Sequence, residues 1–260
     1  MTLTTALLFL LALSRPGAHQ TSNDRFAAAF TAAGVTGTCI LYDLEDGIPI
    51  GHRPDRWDSA YIPASTFKIP NSLISLETGV IANEHTVIPW DSVQRPIAAW
   101  NQDHTMASAF KASTVWFYQE LARRIGTQRM QHYLDTMAYG NRTRGGAIDE
   151  FWLDGGLRIS PRQQVEFLVK LHRGALPFSA TTMATVREIM VQERTDRYTL
   201  RAKTGWADSV TPGVGWYVGY VESGRRVVFF ATEIDVRDRK DLPARAQVTR
   251  TILHQLGLID

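Results

Sequence analysis

The chain has 260 residues, 44% of them apolar and 21% charged, with a formal net charge of +2. That is enough apolar material for a sizeable core, and charges scattered at near balance leave no basic tract for nucleic acid. The single cysteine, Cys39, excludes an internal disulfide; in the run Thr38-Cys39-Ile40-Leu41-Tyr42 it reads as a small buried hydrophobe.

Residues 1–20 hold an apolar core from Ala6 to Leu13, then Ser14-Arg15-Pro16-Gly17-Ala18, a pattern that resembles a secretory signal peptide and is too short to span a bilayer. No Lys or Arg precedes the run, cleavage is open between Ala12-Leu13-Ser14 and Pro16-Gly17-Ala18, and a buried N-terminal helix is the competing reading. Export is expected, giving a periplasmic or secreted protein without a stable membrane anchor, because no later run reaches spanning length.

From Asp24 the spacing of Phe26, Phe30 and Ala33 predicts a short helix, then a strand over 36–44 and, after the Asp46-Gly47 turn, a second strand from Ile48. Helical periodicity follows the Ser65 region over 113–125, 127–137, 160–171 and 181–192, with Ser160-Pro161 as cap and first residue and Gly-Gly loops at 145–146 and 155–156. Beyond Arg197 the pattern alternates, predicting strands at 198–203, 215–221 and 226–234 and a closing helix over 243–256. The expectation is an α+β fold: an antiparallel sheet flanked by helices with a helical lobe. A single catalytic domain spans 21–260, its sheet lobe drawn from about 21–60 and 196–260 and its helical lobe from about 61–195.

The stretch Pro63-Ala64-Ser65-Thr66-Phe67-Lys68-Ile69-Pro70-Asn71 sets a hydroxyl and an amine three residues apart, on one face if helical. Pro63 places the helix start near Ser65, where unpartnered backbone N–H groups suit a developing oxyanion, and Pro70 predicts a kinked first turn. Alone, Ser-x-x-Lys is weak, since about one accidental match is expected at this length. The histidines form no metal-ligand pair, and no metal is implied, which leaves Lys68 as the candidate base. Near its reference pKa of about 10.4 a lysine is protonated, so it must be desolvated to act. A buried neutral amine can also add carbon dioxide and become a carbamate. By themselves, Ser113-Thr114-Val115 reads as a helix cap and Lys203-Thr204-Gly205 as a strand ending in a close backbone approach. Trp90, Trp100, Trp116 and Trp216 read as core or pocket wall, and the acidic trio Asp149, Glu150 and Asp154 as an unneeded second carboxylate set.

Taken in order, Ser-x-x-Lys, Ser-x-Val and Lys-Thr-Gly resemble the penicillin-recognising serine enzymes. Leu76-Glu77-Thr78-Gly79, Tyr139-Gly140-Asn141, Phe151-Trp152-Leu153 and Trp206 narrow the resemblance to the class D β-lactamases, over about Tyr61 to Leu256. The class A pattern has Ser-Asp-Asn where this chain has Ser113-Thr114-Val115. The resemblance implies hydrolysis of β-lactams, with resistance to them, through acylation of Ser65. Lys68, modified to N6-carboxylysine by carbon dioxide or bicarbonate, would be the base, and no other cofactor is implied. Trp152 would donate to the carbamate, Ser113 would relay a proton, and the N–H groups of Ser65 and Trp206 would form the oxyanion hole. Val115 and Leu153 would be apolar walls, and Lys203, Thr204, Gly205 and Arg245 would bind substrate, Arg245 on the match of Asp241-Leu242-Pro243-Ala244-Arg245. The expected partners are small β-lactams, with the chain a monomer or homodimer. A β-lactam sensor and a cell-wall transpeptidase share the Ser/Lys logic, but both are expected to carry a membrane segment or accessory domain.

Overall fold

The computed structural model describes residues 21–22 and 24–260. The export signal expected over 1–20 lies outside the described residues. Seven strands form one sheet: β1 (Thr21–Ser22), β2 (Gly37–Asp43), β3 (Pro49–His52), β4 (Val191–Arg194), β5 (Tyr198–Ala207), β6 (Gly213–Ser223) and β7 (Arg226–Val236). Their order is β1-β3-β2-β7-β6-β5-β4, antiparallel throughout except for the short β1–β3 edge pair, which is parallel. The helices are α1 (Asp24–Ala32), α2 (Lys68–Glu77), α3 (Met106–Ala112), α4 (Val115–Ile125), α5 (Thr127–Met137), α6 (Pro161–His172), α7 (Ala180–Ile189) and α8 (Ala244–Gln255). Among the described residues no helix is long and apolar enough to cross a membrane.

Alternation along the central strands makes a core on each face of the sheet. Cys39, Leu41, Phe230 and Ile234 pack with Val248 and Ile252 of α8 and Phe26 of α1, while Ile40, Tyr42, Phe229 and Ala231 point to the helical lobe. Cys39 is buried there, its thiol pushed up to about 12 chiefly by burial, so it behaves as the expected hydrophobe. Local chemistry sets the helix starts: Ser160 and Gln163 form a capping box ahead of Pro161, and Ser179 caps α7.

Three local expectations change. The helix expected over 181–192 ends at Ile189, because Val191–Arg194 leaves the helix to pair antiparallel with β5 as an edge strand. The Ser65 segment opens not as an α-helix but as a 3-10 turn, Ala64–Phe67, and α2 begins at Lys68, so that Pro70 falls in the first helical turn, where a missing N–H costs no bond. Ser113 does not cap a helix with its side chain. It takes a left-handed backbone (φ 56°) after α3, and Thr114 precedes α4.

One ion cluster fastens the chain ahead of Ser65 to the sheet. Arg56 donates to both carboxylate oxygens of Asp235 (3.1 and 2.8 Å), to Glu233 (2.8 Å) and to the Tyr61 hydroxyl (3.0 Å). The Tyr61 ring meets Trp216 edge-on, and the Trp216 indole N–H donates to the Ile62 carbonyl at 2.8 Å. The Glu233 side chain is 1% exposed, and burial pushes its carboxyl up to about 8, a rise opposed by Arg56 and aided by Asp235. Removing the cation while leaving this carboxyl buried is costly. Arg56→Ala is expected to lose about 3 kcal/mol of unfolding free energy in urea denaturation, and adding Glu233→Gln is expected to recover part of it.

Candidate active site

The segment before Ser65 is pinned from two sides. Tyr61 and Ile159 exchange backbone hydrogen bonds, and the Ala64 N–H donates to the Trp152 carbonyl at 2.9 Å. Ala64, fully buried, is held at φ 48°, a left-handed conformation that costs a non-glycine residue about 1–2 kcal/mol and persists because its surroundings leave no alternative. The Thr66 hydroxyl donates to the Pro63 carbonyl at 2.7 Å and accepts from Gln164 at 2.8 Å. On the sheet side, a Cβ at Gly205 would stand 3.0 Å from the Pro63 carbonyl oxygen and 3.1 Å from the Thr66 methyl. Glycine is what lets β5 lie against the turn.

Lys68, the first residue of α2, has its Nζ 2.9 Å from Ser65 Oγ and 5.2 Å from the centre of the Tyr118 ring. It is 1% exposed, and burial brings its amine down to about 7. Trp152 is fully buried, stacked on Phe67 at 5.3 Å, and its indole N–H has no acceptor among the described residues. Such an orphaned donor costs of order 1–3 kcal/mol unless something fills the place in front of it. Lys203 of β5 reaches across to the helical lobe, donating to Ser113 Oγ at 2.9 Å and to the Thr204 carbonyl at 3.0 Å. Burial drives its amine well below the ordinary lysine value, and the Lys68 and Arg245 charges push the same way. Arg245 on α8 donates to the Gly205 carbonyl at 2.6 Å, and burial lowers its guanidinium to about 10.

A cavity of about 410 Å³ opens in front of these groups, lined by Ser65, Ser113, Val115, Leu153, Thr204, Gly205, Trp206 and Arg245. Lys68, Trp152 and Lys203 stand behind this lining as buried residues. The fold thus gathers the predicted residues at one place, from α2, the α3–α4 junction, the 151–157 loop, β5 and α8. The cavity wall also includes Ile97, Trp100, Asp208, Arg239 and Leu242, to which sequence reasoning gave no role in the site beyond treating Trp100 as core or wall. They lie on loops and short turns, where no periodicity marks them. Trp100 is positioned by its N–H to the Ala112 carbonyl (3.0 Å) and by the Trp116 N–H to its own carbonyl (2.8 Å). No histidine lines the cavity; His104 is buried to one side, hydrogen-bonded to Ser108 and the Ala99 carbonyl. Asp149 pairs with Arg123. Among the described residues no cluster of His, Cys, Asp and Glu could hold a metal ion. Chemically, the arrangement offers a hydroxyl beside a desolvated amine, in a cavity whose other end is cationic.

The family model described as the penicillin binding protein transpeptidase domain matches residues 51–254. The chain is 41% identical to the β-lactamase OXA-48 of Klebsiella pneumoniae, over 91% of this chain and 89% of that one. It is 40% identical to the β-lactamase OXA-10 of Pseudomonas aeruginosa, over 92% and 91% respectively. Among solved structures, a class D β-lactamase from Nostoc superposes with a TM-score of 0.89 at 49% identity, covering 90% of this chain and 99% of that chain. The chain belongs to the class D β-lactamases. The class D FUS-1 (OXA-85) enzyme of Fusobacterium nucleatum subsp. polymorphum agrees equally well, with a TM-score of 0.89 at 35% identity over 92% of this chain and all of that one. The α+β fold expected from sequence is therefore the class D fold.

Within that fold an atom added at Gly205 is accommodated only if the Ser65 turn gives way. Gly205→Ala is expected to shift the turn by a few tenths of an ångström and to slow β-lactam hydrolysis by about tenfold, since misplacement by 1 Å can cost about a hundredfold. Steady-state hydrolysis rates, with circular dichroism to verify folding, check this.

Proposed function

We propose that this protein hydrolyses β-lactam antibiotics through a serine acyl-enzyme, with Lys68 carboxylated on its amine, and that after export it protects the cell from those antibiotics. The observation that carries the reading is the pairing of a dry Lys68 amine, brought down to about 7 beside Ser65, with the buried Trp152 N–H that lacks an acceptor. A carboxyl group on that amine fits both: only a neutral amine adds carbon dioxide, and the product is an anion that needs a donor in an apolar place. When present, the group supplies an oxygen base at the nucleophile.

Ser65 Oγ gives up its proton on the Lys68 side and attacks the ring carbonyl carbon, whose oxygen lodges between the N–H groups of Ser65 and Trp206. The amide C–N bond breaks, and Ser113 passes a proton to the leaving nitrogen. Lys203, in contact with Ser113 Oγ, is suited to replenish that proton. Lys203, Thr204 and Arg245 hold the substrate carboxylate, Arg245 with its forked donors. Once the first proton has left the Lys68 side, a water loses its proton there and attacks the Ser65 ester; the acyl C–Oγ bond breaks, that proton passes to Ser65 Oγ, the ring-opened acid leaves, and Val115 and Leu153 at the cavity wall regulate water entry. The relatives named above are β-lactamases, which supports hydrolysis over permanent acylation.

Steady-state hydrolysis of benzylpenicillin and oxacillin, with and without bicarbonate and with mass spectrometry of the protein, tests the reading. Turnover that rises with bicarbonate is expected. Stoichiometric acylation without turnover would make the protein a β-lactam sensor or transpeptidase instead, and no acylation would remove Ser65 as nucleophile. Because protonation of the amine blocks addition of carbon dioxide, activity is expected to fall as pH drops through about 7, and added bicarbonate to restore it less at pH 6 than at pH 8. Lys68→Ala is expected to abolish turnover while thermal unfolding remains cooperative. Trp152→Phe, which keeps the stacking and removes the donor, is expected to slow deacylation more than acylation and to raise the bicarbonate needed for half-maximal rate.

A further inference from the structure

The catalytic cavity contains a carboxylate with no partner. Asp208 directly follows β5, is exposed, and makes no hydrogen bond or ion pair among the described residues, although Arg239 lines the same space. Beyond it a second cavity of about 580 Å³ shares Trp206, Asp208 and Arg239 with the first and continues past Val210 and Pro212. A substituent longer than the first cavity therefore passes Asp208 on its way out.

Strand geometry fixes which part of a substrate that is. An extended strand advances about 3.3 Å per residue, so Thr204 and Trp206, both lining the cavity, stand about 7 Å apart along it, and Asp208 follows where β5 ends. In a penicillin or cephalosporin the carboxylate lies at one end of the fused rings, and the acylamino side chain leaves from the other end, next to the reactive carbonyl. With the carboxylate at Lys203, Thr204 and Arg245 and the carbonyl oxygen at the Trp206 N–H, the side chain runs on toward residue 208, about 7 Å further. One competing charge shares the first cavity, the Arg239 guanidinium. The Arg239 guanidinium lies over the Trp206 indole, 5.2 Å from its centre, Arg237 lines only the second cavity, and Asp238, also there, accepts from the Lys240 N–H at 3.0 Å. Among the described residues, Asp208 is the one acidic side chain lining the first cavity.

We propose that Asp208 is a specificity-determining residue that favours β-lactams bearing a positive charge on the carbon next to the side-chain amide, the aminopenicillin class, over neutral or anionic groups at that carbon. It rests on β-lactam hydrolysis at Ser65 as proposed above. Asp208 is exposed and screened, so the preference is small and salt-sensitive, about threefold per unit of charge.

Three penicillins on one benzyl skeleton isolate the charge: benzylpenicillin, its α-amino analogue ampicillin and its α-carboxy analogue carbenicillin. Their kcat/KM values are compared for the wild-type protein, Asp208→Asn and Asp208→Lys, at low salt and a slightly acidic pH that keeps the amine charged. Asp208→Asn is expected to lower the ampicillin-to-benzylpenicillin ratio about threefold and to raise the carbenicillin-to-benzylpenicillin ratio by a similar factor. Asp208→Lys should move both about tenfold, and 0.5 M salt should compress every shift. Ratios that stay constant across the variants, or three rates that fall together, would overturn the role of Asp208 and leave hydrolysis standing. A wild-type protein inert toward all three would remove the β-lactam reading itself, and this preference with it.

Discussion

Withdrawing one lysine amine from water is the condition on which the rest of this molecule depends. In water the amine of Lys68 would hold its proton and be useless beside Ser65; enclosed, it is brought down to about 7. Enclosing it means burying the first turns of α2, from Lys68 through Ser75, including three polar residues that must then find partners inside. They do so along the seam with α4. Ser72 donates to the Lys68 carbonyl and bonds the Tyr118 hydroxyl, Asn71 donates to the Tyr118 carbonyl, and Ser75 donates to Asn71. The seam is polar and dry at once, which fixes α2 without returning water to the amine.

A second buried amine sits nearby. Lys203 is 4% exposed, and the Lys68 charge is among the causes that depress it. Two enclosed ammonium groups are costly, so the site favours charge on one at a time. An anion arriving beside Lys203 and Arg245 favours the charged form of Lys203 and thereby the neutral form of Lys68. The charge states of the two amines are linked by this repulsion, with no moving part between them. The Lys203–Ser113 hydrogen bond is also where the sheet grips the helical lobe.

How much of this was readable in the sequence follows from the range of each interaction. Helices with an apolar stripe, such as α5, and α6 with its capping box as well, are local and fall close to their expected bounds. The edge strand β4 is not local: Val191–Arg194 continues a helical pattern, and only β5, arriving later in the chain, gives those residues a ladder. Spacing suggested that Ser65 and Lys68 could meet, but that pair, like the other site residues, gained weight only through motifs that resemble a known family. Neither spacing nor motif says that the Trp152 N–H faces no acceptor, that Ala64 is left-handed, or that Arg56 ties the nucleophile's approach to β7. Those facts arise where segments far apart in sequence meet. Asp208 went unassigned for the related reason that loop positions carry no period, whereas Trp100, read as core or pocket wall, does line the cavity.

The sheet also dictates the order in which the chain can become an enzyme. β2, among the first strands made, is flanked by β3 and by β7, and in the latter pairing Gly37 lies opposite Ile234 and Asp43 opposite Val228. During synthesis β2 must therefore wait for nearly the whole polypeptide, and long-range pairings of this kind are slow to close. Until β7 arrives, β6, the strand that backs β5, lacks one of its two partners. A shortened chain ending before β7 would carry both Ser65 and Lys68 in place by sequence and still have no dry interior in which to use them.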